Sequence, residues 1–184
     1  MKILYIHGAF SAFKPDSEKV KNLQKVFEVV GVSYSMETPY PENKAMLVQF
    51  CRDNGIDAVV GTSLGGLYAA EVSAELSIPA ILINPCVEPV MSLSTIVGTM
   101  TNFATGKPET LTQEIVNTFP DTATMTQLCL VFVGMKDELI NPSKTIFMCC
   151  HKATVVANHN ADHYWDDFER NERILIHLDT TITA

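Results

Sequence analysis

Basic residues are scarce in this chain: 13 Lys and Arg stand against 21 Asp and Glu, a formal net charge of −8 over 184 residues. No basic run offsets that balance, so nucleic-acid binding through the phosphate backbone is not expected. Also missing is any apolar stretch near the ~20 residues that a bilayer span needs. The N-terminal apolar run, Ile3 to Ile6, is too short for the core of a secretory signal. The expectation is a cytoplasmic protein with no membrane span. There is no CxxC pair, and the five cysteines are odd in number. Neither a disulfide framework nor a zinc knuckle is indicated, and Cys51, Cys86, Cys129, Cys149 and Cys150 read as packed thiols. Internal repeats, low-complexity tracts and Pro/Gly-rich linkers are absent too. With 47% hydrophobic and 18% charged residues, residues 1–184 read as one folded domain.

What is present is a recurring unit: a short apolar run followed by a longer stretch with helical spacing. Strands are expected at Lys2–Ile6, Asp57–Val60, Pro79–Ile83, Leu128–Val133 and Ala153–Ala157. Helices are expected over about 16–30, 42–53, 64–76, 142–150 and 165–178. Gly31 would end the first, while Asn141 and Pro142 would open the fourth. Alternating strands and helices mean right-handed βαβ units and an α/β fold, with a mostly parallel sheet carrying helices on both faces. Residues 86–126 break the rhythm, being long, Thr-rich and without a strong strand. They read either as a cap-like insertion of irregular helices over the site or as ordinary helices packed on the sheet.

Ligands of such sheets bind beyond the carboxyl ends of the strands, so the loops there carry the chemistry. Gly61-Thr62-Ser63-Leu64-Gly65 joins a strand directly to a helix, which is G-x-S-x-G in the context that a nucleophile turn needs. Side chains at Gly61 and Gly65 would collide with nearby backbone, and the tight turn leaves the Ser63 hydroxyl exposed. A serine needs a base held by an acid. Asp137, a few residues past the fourth expected strand, is the candidate acid, with its neighbour Glu138 as rival. The candidate base follows the fifth expected strand, where His159 and His163 compete. The order Ser63, acid, histidine is that of α/β-hydrolases. The turn His7-Gly8-Ala9-Phe10 after the first strand offers an oxyanion donor in the Ala9 N–H, with the Phe10 N–H as the alternative, beside the Leu64 N–H. Phe10, Met91 and Phe103 are candidate substrate contacts. Met91, Leu93, Ile96, Val97, Met100 and Phe103 read as an acyl pocket or, more simply, as core.

The residues at these places resemble a known family. Leu4-Tyr5-Ile6-His7-Gly8, Gly61-Thr62-Ser63-Leu64-Gly65-Gly66-Leu67-Tyr68-Ala69, Ile83-Asn84-Pro85-Cys86-Val87-Glu88-Pro89, Gly134-Met135-Lys136-Asp137-Glu138 and Asp162-His163 followed by Phe168-Glu169 are similar to YqiA-type small bacterial esterases. The resemblance spans almost the whole chain. It implies a compact α/β-hydrolase with a small helical cap, a Ser63–Asp137–His163 triad and action on carboxylic esters, including acyl thioesters. It favours His163 over His159. Glu88 departs from the pattern, standing where the family tends to carry Arg, and the residues before His163 lack the family's Gly-Gly-Asn run. No metal or organic cofactor is called for, and the expected partner is a small-molecule ester or thioester. Acyl transfer on the same scaffold and a binding protein without turnover are the alternative functions.

Overall fold

The computed structural model describes residues 1–165. In chain order the elements are β1 (Lys2–Ile6), α1 (Glu18–Gln24), β2 (Glu28–Gly31), α2 (Tyr40–Asn54), β3 (Ala58–Thr62), α3 (Leu64–Leu76) and β4 (Ala80–Ile83). Then follow α4 (Pro89–Ser94), β5 (Gly98–Thr101), β6 (Pro108–Leu111), α5 (Gln113–Val116), β7 (Cys129–Gly134), α6 (Pro142–Cys149) and β8 (Thr154–Asn158). Six strands form one sheet in the order β2-β1-β3-β4-β7-β8, and every pairing in it is parallel. The helix expected over 165–178 lies outside the described residues.

Period-two alternation divides the core between the two sheet faces. Leu4, Ile6, Val59, Leu82 and Val131 point to one face and pack with Leu47 and Cys51 of α2, Leu67 and Ala70 of α3, and Cys149 of α6. Ile3, Tyr5, Val60, Ile81 and Phe132 point to the other, against Val20 and Leu23 of α1. Helices therefore cover both faces, as the continuous apolar strand runs predict. Each fully buried Leu or Ile in these layers contributes roughly 1.5–3 kcal/mol.

Two expectations are corrected. The helix foreseen over 16–30 stops at Gln24, and Glu28–Gly31 pairs with β1 as the edge strand β2, Val29 beside Ile3 and Val30 beside Leu4. Val29 and Val30 are β-branched, and the open edge of β1 offers them a ladder that outweighs their helical spacing. In the 86–126 segment, expected to be helical, β5 and β6 form an antiparallel hairpin between the short helices α4 and α5. Thr99 and Thr110 sit opposite each other there with their hydroxyls 2.8 Å apart. Cross-strand threonine pairs favour this pairing, and Pro108 at the start of β6 disfavours a continuous helix. Gly106, at φ 70°, closes the turn.

All six strands being parallel, the loops after β1, β3, β4, β7 and β8 gather at one sheet edge. The chain leaves β1 in one direction to reach β2 and in the other to reach β3, so Ser63, after β3, stands beside the point where strand order reverses.

Candidate active site

Ser63 caps α3 with φ 56° and ψ −121°, a conformation that β-carbon-bearing residues rarely adopt. Such a residue stores of order 1–3 kcal/mol of strain and persists only where its surroundings dictate it. Here the dictation comes from glycine. A Cβ on Gly61 would run into the Gly65 carbonyl, and one on Gly65 into the Ile6 and His7 carbonyls. One on Gly66 would lie 2.8 Å from the Pro85 ring. The Ser63 N–H donates to the Ile83 carbonyl (2.9 Å), and its own carbonyl accepts from Gly66 and Cys86. The side chain is left facing a cavity.

That cavity has a volume of about 1060 Å³. Ser63, Leu64, Ala9 and Phe10 line it, and so does His163. The His163 Nδ1 lies 2.8 Å from Asp137 Oδ2, with both side chains almost wholly shielded from water. The second Asp137 oxygen accepts the Leu139 and Ile140 N–H groups, each at 2.8 Å. Both Asp137 oxygens thus face donors, and the ring nitrogen turned to Oδ2 is the one that donates, Nδ1–H. Nε2 then carries the free lone pair. Of the competing residues, Glu138 and His159 are solvent-exposed and neither lines the cavity. Among the described residues no hydrogen bond joins the Ser63 hydroxyl to the imidazole; in unliganded sites such bonds commonly tighten only with substrate in place.

On the opposite side the turn after β1 is tied down by its carbonyls. The His7 Nδ1–H donates to the Gly8 carbonyl (2.8 Å), while Nε2 accepts the Tyr34 N–H (3.3 Å). The Tyr34 hydroxyl donates to the His7 carbonyl (3.1 Å), and the two rings stack with centroids 4.3 Å apart. Burial holds the His7 pKa below its ordinary value. His7 thus braces the turn, and Phe10 takes φ 49°. Among the described residues the Ala9 and Leu64 amides donate to no protein acceptor.

Two positions that sequence reasoning did not assign a role also matter. Asn84, buried and at φ 44°, donates through Nδ2 to the carbonyls of Asp162 (2.9 Å) and His163 (3.0 Å). Its Oδ1 accepts the Gly134 N–H at 2.7 Å. One side chain therefore joins the end of β7 to the histidine loop. A Cβ on Gly134 would come within 2.6 Å of the Asp162 carbonyl, so only glycine lets the two loops approach this closely. An Asn directly after a strand of a parallel sheet is the signal that marked it. Asp162 Oδ1 in turn accepts the Tyr164 and Trp165 N–H groups, shaping the chain beyond His163.

Phe10, Met91 and Phe103 all line the cavity; Phe10 is buried, while Met91 and Phe103 are exposed at its rim. Leu93, Ile96 and Met100 line it as well, and Val97 does not. Glu88 forms a 2.5 Å ion pair with Lys144, which places a neutral pair on the wall. Cys86 faces the same space, but burial pushes its thiol up to about 11 and so suppresses the thiolate. Among the described residues no cluster of His, Cys, Asp and Glu could hold a metal ion, and no helix is long and apolar enough to cross a membrane.

The chain matches the Uncharacterised protein family (UPF0227) over residues 2–180. It belongs to that family. The YqiA-like motifs quoted above lie in the same span. Among solved structures, this UPF0227 member is similar to Est1E from Butyrivibrio proteoclasticus, at 14% identity and TM-score 0.66, covering 99% of this chain and 86% of the other. The monoacylglycerol lipase of Paleococcus ferrophilus gives 12% identity and TM-score 0.68, covering 98% and 94%. The esterase domain of a Rhodothermus marinus protein gives 16% identity and TM-score 0.62, covering 100% and 85%. At these identities the likeness establishes the fold, which is that of the α/β-hydrolases.

Proposed function

We propose that this protein is a serine hydrolase of carboxylic esters, with Ser63 as nucleophile, His163 as base and Asp137 as the acid that orients it. The observation that carries the reading is the 2.8 Å contact between His163 and Asp137 on the wall of the cavity that the strained Ser63 also lines. The esterase and lipase titles of the structural neighbours support the same reaction class. Because Nδ1–H is committed to Asp137, Nε2 takes the Ser63 proton as Oγ attacks the acyl carbon. The resulting oxyanion accepts from the Ala9 and Leu64 N–H groups, and α3 adds the partial positive charge of its N-terminus. Nε2 then protonates the leaving alcohol, and water releases the acid from the acyl-enzyme by the same route. Phe10, Leu93, Ile96 and Met100 receive the apolar acyl part, and the 86–126 segment serves as the cap, with Met91 and Phe103 at its rim. Thioesters share the first half-reaction and belong to the proposed substrate class. The cysteines of the described residues are all free thiols, which fits a reducing cytoplasmic setting.

The test is labelling by a fluorophosphonate probe together with turnover of a panel of esters. Wild-type protein should label and turn over, and Ser63→Ala should abolish both while leaving the melting temperature intact. Well-folded wild-type protein that neither labels nor hydrolyses any ester would be a binding protein on a hydrolase scaffold.

A further inference from the structure

The β5–β6 hairpin reaches past the cavity and grips the turn that carries the Ala9 amide. The Phe103 N–H donates to the Phe10 carbonyl at 2.8 Å. Asn102 Nδ2 donates to the Ser11 carbonyl at 3.0 Å and to Glu109 Oε2 at 3.0 Å. Lys14 Nζ returns a 3.5 Å contact to the Phe103 carbonyl. Glu109 is itself buried, and its Oε1 accepts from the Ser35 hydroxyl (2.8 Å) and the Met36 N–H (2.7 Å). The hairpin is thus fastened to the loop after β2 by the Glu109 carboxylate and by the Thr110 N–H, which donates to Glu37 Oε1 at 2.8 Å, and to the β1 turn by the Asn102 carboxamide and the Phe103 N–H.

Counted with the His7 and Tyr34 contacts, the carbonyls of His7, Gly8, Phe10 and Ser11 all have donors. The first two are held by Tyr34 and the His7 ring, the last two by the hairpin. Between them Phe10 is held at a φ of 49°, which free backbone would abandon. The Ala9 N–H, the amide of that stretch that the proposed reaction uses, lies between these anchored carbonyls. We propose that the hairpin is a clamp on the oxyanion turn and that Asn102 and Glu109 are positioning residues for the Ala9 donor. This rests on the ester-hydrolase reading and adds that catalysis depends on a segment outside the parallel sheet.

The experiment uses the full chain with Asn102→Asp, Glu109→Gln and the double variant. Asn102→Asp keeps the Oδ1 that accepts the Ala104 and Thr105 N–H groups, but it loses the donor to Ser11 and sets a second carboxylate against Glu109. Adding Glu109→Gln supplies a donor toward that new carboxylate, so the double variant rebuilds the hairpin anchor without the Ser11 bond. Expected for Asn102→Asp is a fall in kcat of about 10- to 100-fold and an equal slowing of fluorophosphonate labelling, with KM nearly unchanged, since a displaced oxyanion donor acts on the transition state. Expected for the double variant is recovery of the melting temperature without recovery of kcat. Wild-type kcat in either Asn102 variant, or recovery of kcat together with stability in the double variant, would overturn the clamp while leaving the hydrolase reading intact. Should Asn102→Asp not fold, the kcat of the folded double variant decides alone. An inactive, unlabelled wild-type protein would instead overturn the hydrolase reading and the clamp with it.

Discussion

The two sides of the site are built on different plans. The Ser63 side, at the ends of β1 and β3, is a matter of missing atoms: Gly61, Gly65 and Gly66 let backbone pass backbone where no Cβ fits. The histidine side, at the ends of β4, β7 and β8, is a matter of added ones: a buried Asn84 side chain reaches across to hold two loops, and Asp162 folds the chain past His163. The first plan is written in glycines within three residues of Ser63, although two of them make room for Ile6, His7 and Pro85. The Asn84 bridge of the second spans sequence separations of 50 to 79 residues. A close-packed turn should fail all at once when it is overfilled, whereas a hydrogen-bonded bridge should loosen by degrees.

The sharpest way to break the comparison is therefore Gly65→Ala. The new Cβ meets two backbone carbonyls, neither of which can swing away as a side-chain tip would. A loss of about 4 kcal/mol or more is expected, at the upper end for single substitutions and enough to unfold a marginal domain. Urea denaturation checks it. A stable, active Gly65→Ala protein would show that the turn has slack that these contacts deny.

Asn84→Ala should cost less stability, about 2–4 kcal/mol, because it leaves one buried N–H and two carbonyls without their partner but overfills nothing. Its larger effect should be on rate: the histidine loop shifts relative to Asp137, and displacements of about 1 Å cost as much as 100-fold. Asn84→Asp refines the test. It keeps the acceptor for Gly134 N–H and loses both donors to the histidine loop. If the bridge acts by aiming His163, Asn84→Asp should lose nearly as much kcat as the alanine variant while keeping more of its stability.

The same contrast sets how far the sequence could be read. Ser63 and its glycines form a strand-turn-helix pattern whose meaning is complete within a short window, and α3 spans Leu64–Leu76 as expected. Asp137 and His163 could be placed as loop residues after apolar strands, but nothing local distinguishes His163 from His159; the contact with Asp137 is tertiary. Asn84 and Gly134 act only through partners far along the chain, so no periodicity announces them. The fold errors have the same origin. Val29 and Val30 suit a helix face or an edge strand equally well until β1 lies beside them, and the threonines of 98–111 become a hairpin only when each strand supplies the other's ladder.

The smallest expected effect sharpens the comparison through one buried histidine on each side. His163 faces a carboxylate at 2.8 Å; His7 is packed on Tyr34 and accepts a backbone N–H at Nε2, where a proton would set donor against donor. Burial lowers the His7 pKa in the folded protein. A base whose folded pKa is depressed is neutral in the native state while the unfolded chain binds the proton, so stability falls on acidification. The His7 contribution is then fully present above its unfolded value of about 6.5 and is lost as pH drops from there toward the folded pKa. Comparing wild-type protein with His7→Gln isolates it from the carboxylates that both share. The stability advantage of wild type, read from thermal melts, should be largest near neutrality and should shrink steadily as the pH is lowered through this window. An advantage that stays constant or grows on acidification would mean that His7 accommodates its proton, and that the turn beside Ser63 is more yielding than its packing indicates.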